Sequence, residues 1–264
     1  MSARILIFDS GLGGLSVARA MRVQMASAEL VYAADNFAFP YGDWREPELI
    51  KRISSVIDDI ISVCAPDALI VACNTASTIA LEALRKQFDV PFIGTVPAIK
   101  PAAEISKSGL IGVLATPGTV DREYTRALID TFAFHRNVKL HGCPNLAAMA
   151  EAALRNEEVT REELAEEIEP AFVEQNGAKT DVLVLGCTHY PLIARQIAEA
   201  APWPVTLIDP SCAIARHAAK VVSGSDINEI GQNLEFDAVL TKRSENVSSI
   251  LKREGFSRVK VLTS

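Results

Sequence analysis

Short unbroken apolar runs alternate with apolar positions spaced three and four residues apart along most of the chain. The runs read as buried strands at 4–8, 30–34, 67–72, 91–94, 110–115, 137–141, 181–186 and 203–208. Between the second and third, Leu49, Ile53, Val56, Ile57, Ile60 and Cys64 recur at helical spacing and predict an amphipathic helix. A stretch near 161–176 puts Leu164, Ile168 and Phe172 on one helical face. Strand and helix signals in alternation imply βαβ units, hence an α/β fold with mostly parallel sheets flanked by helices.

The order of pieces repeats with little residue identity. Ile5–Phe8 followed by Asp9-Ser10-Gly11 has a counterpart in Ile111–Ala115 followed by Thr116-Pro117-Gly118. The second strands lead into Asp35…Pro40-Tyr41-Gly42 and Gly142-Cys143-Pro144…Glu151, and the fourth strands each precede a proline and a helix. The third runs are the most alike: Leu69-Ile70-Val71-Ala72-Cys73-Asn74-Thr75 and Leu183-Val184-Leu185-Gly186-Cys187-Thr188-His189. Asp67 stands six residues before Cys73, and Asp181 six before Cys187. This duplicated plan predicts two pseudo-symmetric lobes, 1–97 with 211–264 and 98–210, with the active site in the cleft between them. A tail from about 226, with strands 236–241 and 258–262 around a helix, is expected to return to the first lobe.

The totals narrow the function. With 264 residues and 49% hydrophobic content the chain can fill two cores, and 22% charged residues do not describe a disordered chain. Acidic residues outnumber basic ones by 33 to 26 for a net charge of −7, which argues against nucleic acid as a partner. The apolar start is cut off by Asp9, and the stretch 60–73 is broken by Pro66 and Asp67. Neither a signal peptide nor a membrane span is expected. Five cysteines, an odd set without C-x-x-C spacing, are expected as reduced thiols in a cytoplasmic protein.

Cys73 and Cys187 both stand at the carboxyl end of a strand, where open α/β sheets bind ligands. Polar residues follow each as the chain turns toward a helix. A helix amino terminus favours a thiolate, and its free N–H groups suit a substrate carboxylate. Two thiols on opposite sides of a cleft suit the removal of a proton from one face of a carbon and its return on the other. An internal disulfide would disable both groups. Zinc would find His189 as the only obvious further ligand, in a C-x-H arrangement unlike structural sites, so no metal is expected. Dinucleotide binding is the strongest rival, since Gly11-x-Gly13 follows a strand and Asp35 ends the next. It fails because Ser16 replaces the third glycine and Asp9 stands where pyrophosphate would approach. Asp9 could instead cap helix 13–26, Thr75 and Thr188 could be N-caps, and Tyr41-Gly42 could be a turn. Cys64, Cys143 and Cys212 read as packing or incidental, and His135, His141 and His217 carry no partner signal.

Six motifs in order make the chain recognisable: Phe8-Asp9-Ser10-Gly11-Leu12-Gly13-Gly14-Leu15, Pro40-Tyr41-Gly42, Ala72-Cys73-Asn74-Thr75-Ala76-Ser77, Val96-Pro97-Ala98-Ile99-Lys100-Pro101, Leu114-Ala115-Thr116-Pro117-Gly118-Thr119 and Leu185-Gly186-Cys187-Thr188-His189-Tyr190-Pro191. Together they resemble the glutamate racemases of the aspartate/glutamate racemase superfamily over nearly the whole chain. The resemblance implies interconversion of L- and D-glutamate without a cofactor, supplying D-glutamate for peptidoglycan synthesis. It implies that Cys73 takes the proton from D-glutamate and Cys187 from L-glutamate, with Asp9 and His189 assisting their respective thiols. Glu151 matches a carboxylate near the second cysteine and the substrate amine. Asp9, Ser10, Tyr41, Gly42, Asn74, Thr75, Thr188 and His189 match substrate-binding positions, and a homodimer is implied in the same way. Pro144-Asn145-Leu146-Ala147-Ala148-Met149-Ala150 departs from the family's Pro-Leu-Leu-Val-Pro-Leu type of run before that glutamate. The neighbouring readings are a racemase of aspartate or hydantoin, and a regulatory protein that binds DNA gyrase on the same fold.

Overall fold

The computed structural model describes residues 2–224 and 234–262. From the amino terminus the elements are β1 (Arg4–Asp9), α1 (Leu15–Gln24), β2 (Glu29–Ala34), α2 (Glu46–Cys64), β3 (Ala68–Val71), α3 (Asn74–Gln87), β4 (Phe92–Gly94) and α4 (Ile99–Ile105). Next come β5 (Leu110–Ala115), α5 (Pro117–Val120), α6 (Glu123–Phe132), β6 (Asn137–Gly142), α7 (Leu146–Leu154) and α8 (Arg161–Ile168). A small hairpin, β7 (Glu174–Gln175) with β8 (Ala178–Lys179), precedes β9 (Val182–Leu185), α9 (Ala194–Ala200) and β10 (Thr206–Ile208). Then follow α10 (Ser211–Ser223), β11 (Ala238–Leu240), α11 (Glu245–Arg253) and β12 (Val259–Val261). None of the described helices is long and apolar enough to cross a membrane.

The architecture is two-lobed α/β. One compact unit runs to Thr95 and resumes at Ser211, and the other is Val96–Pro210. The first holds a six-stranded sheet ordered β12-β11-β2-β1-β3-β4, and the second a four-stranded sheet ordered β10-β9-β5-β6. Every neighbouring pair in both is parallel. If β1–β4 are numbered first to fourth, the order is 2-1-3-4. Numbering β5, β6, β9 and β10 in the same way gives the same order, so the repeated plan in the sequence is a repeated topology.

In the first unit α2 and α3 cover one sheet face, where Ile53, Val56, Ile57 and Ile60 meet Leu6, Phe8, Val31, Leu69 and Val71. Each such side chain removed from water contributes about 1.5–3 kcal/mol. β2 would be left as an edge strand, but β11 pairs with it in the register Ala238↔Tyr32, and β12 pairs beyond. Strands β11 and β12 of the tail therefore complete the first sheet, while 226–233 and 263–264 of the tail lie outside the described residues. In the second unit Ile99, Ala102 and Ala103 of α4 meet Ile111, Val113, Val182 and Val184.

The aspartates six residues before the two cysteines share a role at the opposite strand end. Asp67 accepts the backbone N–H of Arg4 at 2.7 Å, beside the start of β1. Asp181 accepts those of Lys107 and Ser108 at 2.7 and 2.9 Å, just before β5. Asp237 does the same for Arg258 before β12, at 2.9 Å.

The helix expected near 161–176 stops at Ile168. Glu169–Ala171 form a 3-10 turn containing Pro170, whose ring and missing N–H end the α-helix. Phe172 lies beyond it, and Asn176 (φ 52°) with Gly177 (φ 78°) turns the β7–β8 hairpin. The strand expected from 203 begins at Thr206, after Pro204. Helix α1 begins at Leu15 with Gly14 as N-cap, so Asp9 does not cap it; its Oδ1 accepts the Gly11 N–H at 2.7 Å.

Candidate active site

Two candidate clusters stand at the carboxyl ends of the sheets, one in each unit. In the first, β1 delivers the fully buried Asp9 and then Ser10, while β3 delivers Cys73 beside them through the register Phe8↔Val71. Ser10 Oγ lies 3.7 Å from Cys73 Sγ. Cys73 is the N-cap of α3, so the thiol sits at the positive end of a fourteen-residue helix. Asn74 and Thr75 form the first turn of that helix and are buried. Thr75 is thus inside the helix rather than its cap. A side chain at Gly14 would crowd this cluster: a Cβ would lie 3.0 Å from Asp9 Cβ and 3.1 Å from Ala72 Cβ, so a neighbour would have to give by a few tenths of an ångström.

Tyr41 opens a 3-10 turn, Tyr41–Asp43, and packs in the same apolar cluster as Cys73. Its hydroxyl donates to Asp35 Oδ2 at 2.9 Å. Burial pushes the phenol well above its ordinary pKa, and the carboxylate of Asp35 and then Cys73 add to this. Gly42 is exposed with open space where a Cβ would stand. Asp35, the ribose candidate of the dinucleotide reading, is committed elsewhere. It takes Arg52 through both oxygens at 2.7 and 3.1 Å and Thr241 Oγ1 at 2.7 Å.

In the second unit β9 delivers Cys187, and the chain enters a 3-10 turn, Tyr190–Ile193, before α9 begins at Ala194. Cys187 is therefore not placed at an α-helix amino terminus as Cys73 is, and Thr188 caps no helix. The polar partner is local instead. His189 Nδ1 lies 3.7 Å from Cys187 Sγ, and its Nε2 lies 3.1 Å from Glu151 Oε1 of α7. A carboxylate accepts, so Nε2 carries the hydrogen and Nδ1 is left to exchange a proton with the thiol. His189 is 2% exposed and Glu151 7%, which shields this line from competing water. Thr188 is buried beside it. Gly186 permits the approach of the strands, since a Cβ would stand 2.6 Å from the Leu114 carbonyl oxygen.

The remaining thiols have different surroundings. Burial pushes Cys64 up to about 12 and raises Cys143 further, leaving both protonated near neutral pH. Cys212 is exposed. The structure also adds contacts to which the sequence alone assigned no role. Arg52 and Thr241 hold Asp35, and Thr116 Oγ1 meets Thr119 Oγ1 at 2.9 Å after β5, the strand beside that of Cys187. Arg52 gave no signal because its partner lies seventeen residues away; Thr116 stands in one of the six motifs and as the counterpart of Asp9, with no role attached to it.

Residues 27–218 match the family described as Asp/Glu/Hydantoin racemase. The glutamate racemase of Agrobacterium fabrum is 47% identical over 253 residues, covering 96% of this chain and 92% of that one. The glutamate racemase of Brucella anthropi is 46% identical over 253 residues, covering 96% and 91%. The chain belongs to the Asp/Glu/hydantoin racemase family, among its glutamate racemases. The crystal structure of Escherichia coli glutamate racemase, solved with L-glutamate and the activator UDP-MurNAc-Ala, superimposes with a TM-score of 0.91 at 36% identity. That match covers 99% of this chain and 98% of that one. Against this family background the departing run Pro144–Ala150 is informative. It starts α7 at Leu146, and the helix still presents Glu151 to His189.

Proposed function

We propose that the two clusters act on a single glutamate molecule from opposite faces of its α-carbon, interconverting the L and D forms without a cofactor. The protein is an amino-acid racemase, and its product D-glutamate feeds peptidoglycan synthesis. The observation that carries the two-thiol reading is the repeated sheet order, with a cysteine directly beyond the equivalent strand in each unit.

With D-glutamate, the Cys73 thiolate takes the α-hydrogen as a proton, and the electron pair stays on carbon, delocalised toward the α-carboxylate. The Cys187 thiol then delivers its proton to the other face, giving L-glutamate, a Cys73 thiol and a Cys187 thiolate. L-glutamate reverses every step. Ser10 steadies the first sulfur, and His189, oriented by Glu151, exchanges protons with the second. Asp9 assists Cys73. The buried first turn of α3 offers backbone N–H groups to a substrate carboxylate, as do Asn74 and Thr75, with Thr188 serving from the second unit. Tyr41 and Gly42 line the substrate's approach. The chain works as a homodimer in the cytoplasm.

The test is incubation of each enantiomer with purified, reduced enzyme in deuterated water, followed by chiral analysis. Deuterium should enter at the α-carbon as optical rotation decays to zero. An enantiomer returned unchanged and unlabelled would refute the catalytic reading, and racemisation of aspartate at the same rate would refute the choice of substrate.

A further inference from the structure

α7 is the helix that carries Glu151, and its own N-cap residue, Asn145, makes no side-chain cap. The cap comes from another helix. Glu167, near the end of α8, accepts the Asn145 N–H at 2.6 Å and the Leu146 N–H at 3.2 Å through Oε1, and Asn145 Nδ2 at 3.3 Å through Oε2. By contrast α8 has a complete box of its own, with Thr160 and Glu163 reciprocally bonded. The backbone carbonyl of Glu167 is also occupied: it meets His141 Nε2 at 2.9 Å and accepts from Cys143 Sγ at 3.6 Å. One residue thus fixes the end of β6, the turn after it and the start of α7.

We infer that Glu167 is a positioning residue for racemisation, holding α7 so that Glu151 meets His189 and, through it, Cys187. The inference rests on the relay of the proposed function. Glu151 stands on the second turn of α7, six residues beyond the capped N–H of Asn145, so a shift of the first turn moves its carboxylate. The contact it must keep is the 3.1 Å hydrogen bond to His189. Arg155, 3.8 Å from the other oxygen of Glu151, is itself held by Glu157 at 2.7 Å and offers an alternative partner if α7 slips. Opposite charge at a helix amino terminus also favours the carboxylate of Glu167 over a neutral group.

The experiment is a double-mutant cycle on the full chain: wild type, Glu167→Ala, Glu151→Gln and the double variant, with Glu167→Gln as the conservative control. Steady-state kcat and KM are read in both directions. Misplacement of a reacting group by an ångström costs up to about a hundredfold, so E167A should lower kcat about tenfold, with KM within about twofold. E167Q, which keeps an acceptor oxygen, should recover most of that loss. In the Glu151→Gln background the same alanine should cost less than about twofold, because groups acting through one another are non-additive. Equal losses in both backgrounds, a loss confined to KM, or no loss in E167A would overturn the inference. If E167A fails to fold, the cycle is run with E167Q, whose smaller loss must likewise vanish in the Glu151→Gln background. If Glu151→Gln alone leaves kcat within about twofold, the relay itself fails, an outcome separable from additivity in the cycle.

Discussion

Replacing Cys73 by serine tests the acid/base reading most directly. The side chain keeps its place beyond β3 and at the head of α3, 3.7 Å from Ser10 in the wild type, so substrate binding is largely spared. What changes is the proton inventory. An ordinary thiol titrates near pH 8.5, so at pH 8 about a quarter is thiolate. A hydroxyl is a far weaker acid, and at that pH only about one part in 10⁸ of it is ionised. The stronger basicity of the alkoxide returns about half of that difference on a logarithmic scale, by Brønsted behaviour. The net loss is about 10³- to 10⁴-fold, or roughly 4–5.5 kcal/mol of transition-state stabilisation. The enantiomers have equal free energy in water, so the equilibrium constant is unity and kcat/KM must fall by the same factor in both directions. The directions differ in isotope effect: D-glutamate deuterated at the α-carbon should show the larger rise, because Cys73 abstracts that proton. Circular dichroism at fixed wavelength follows both directions. A loss smaller than about tenfold, or the larger isotope effect on L-glutamate, would refute the assignment.

Three further outcomes follow from packing and charge. Arg52→Met leaves the fully buried Asp35 with Tyr41 and Thr241 as its side-chain donors among the described residues, and breaking such a pair from one side costs about 3 kcal/mol, the low end of the range because Arg52 is partly exposed. Thermal melting should drop by about 6–12 °C, with Arg52→Met/Asp35→Asn recovering part of it; a shift under about 2 °C would contradict this. Gly186→Ala drives a methyl into the Leu114 carbonyl at 2.6 Å, so it should cost about 1–3 kcal/mol in urea unfolding and displace Cys187, lowering kcat. Wild-type activity and stability together would show that the strands can part freely. Alkaline pH should destabilise the fold: the Cys64 thiol, raised by burial to about 12, keeps its proton in the folded chain after the unfolded chain has lost it. That contribution is complete below the unfolded thiol's value and falls by up to about 1.4 kcal/mol per pH unit between there and about pH 12. Urea midpoints from pH 8 to 10 should fall more steeply in wild type than in Cys64→Ala, and parallel slopes would sink the argument.

Much of the fold could be read from one dimension because its causes are local. A parallel strand buried on both faces is a continuous apolar run, and the helix 46–64 declares itself through Leu49, Ile53, Val56, Ile57 and Ile60. Expectation failed where a nearby residue overrode a periodic pattern: Pro170 ended α8 before Phe172, and Pro204 delayed β10. It failed again beyond Cys187, where the chain's polar sequence resembled a helix start but a 3-10 turn intervenes before α9.

The sequence alone determined the alternation of strands and helices, the duplicated plan and the two cysteines beyond equivalent strands, since each depends on residues adjacent in the chain. Only the tertiary structure decided which side chains meet. Asp35 is taken by Arg52, Tyr41 and Thr241, the last of these 206 residues away. Glu151 reaches His189 across 38 residues, and Glu167 caps a helix 22 residues before it. Hydrogen bonds form over about 3 Å of space whatever the separation along the chain, so a partner brought in by folding leaves no periodic mark in the sequence.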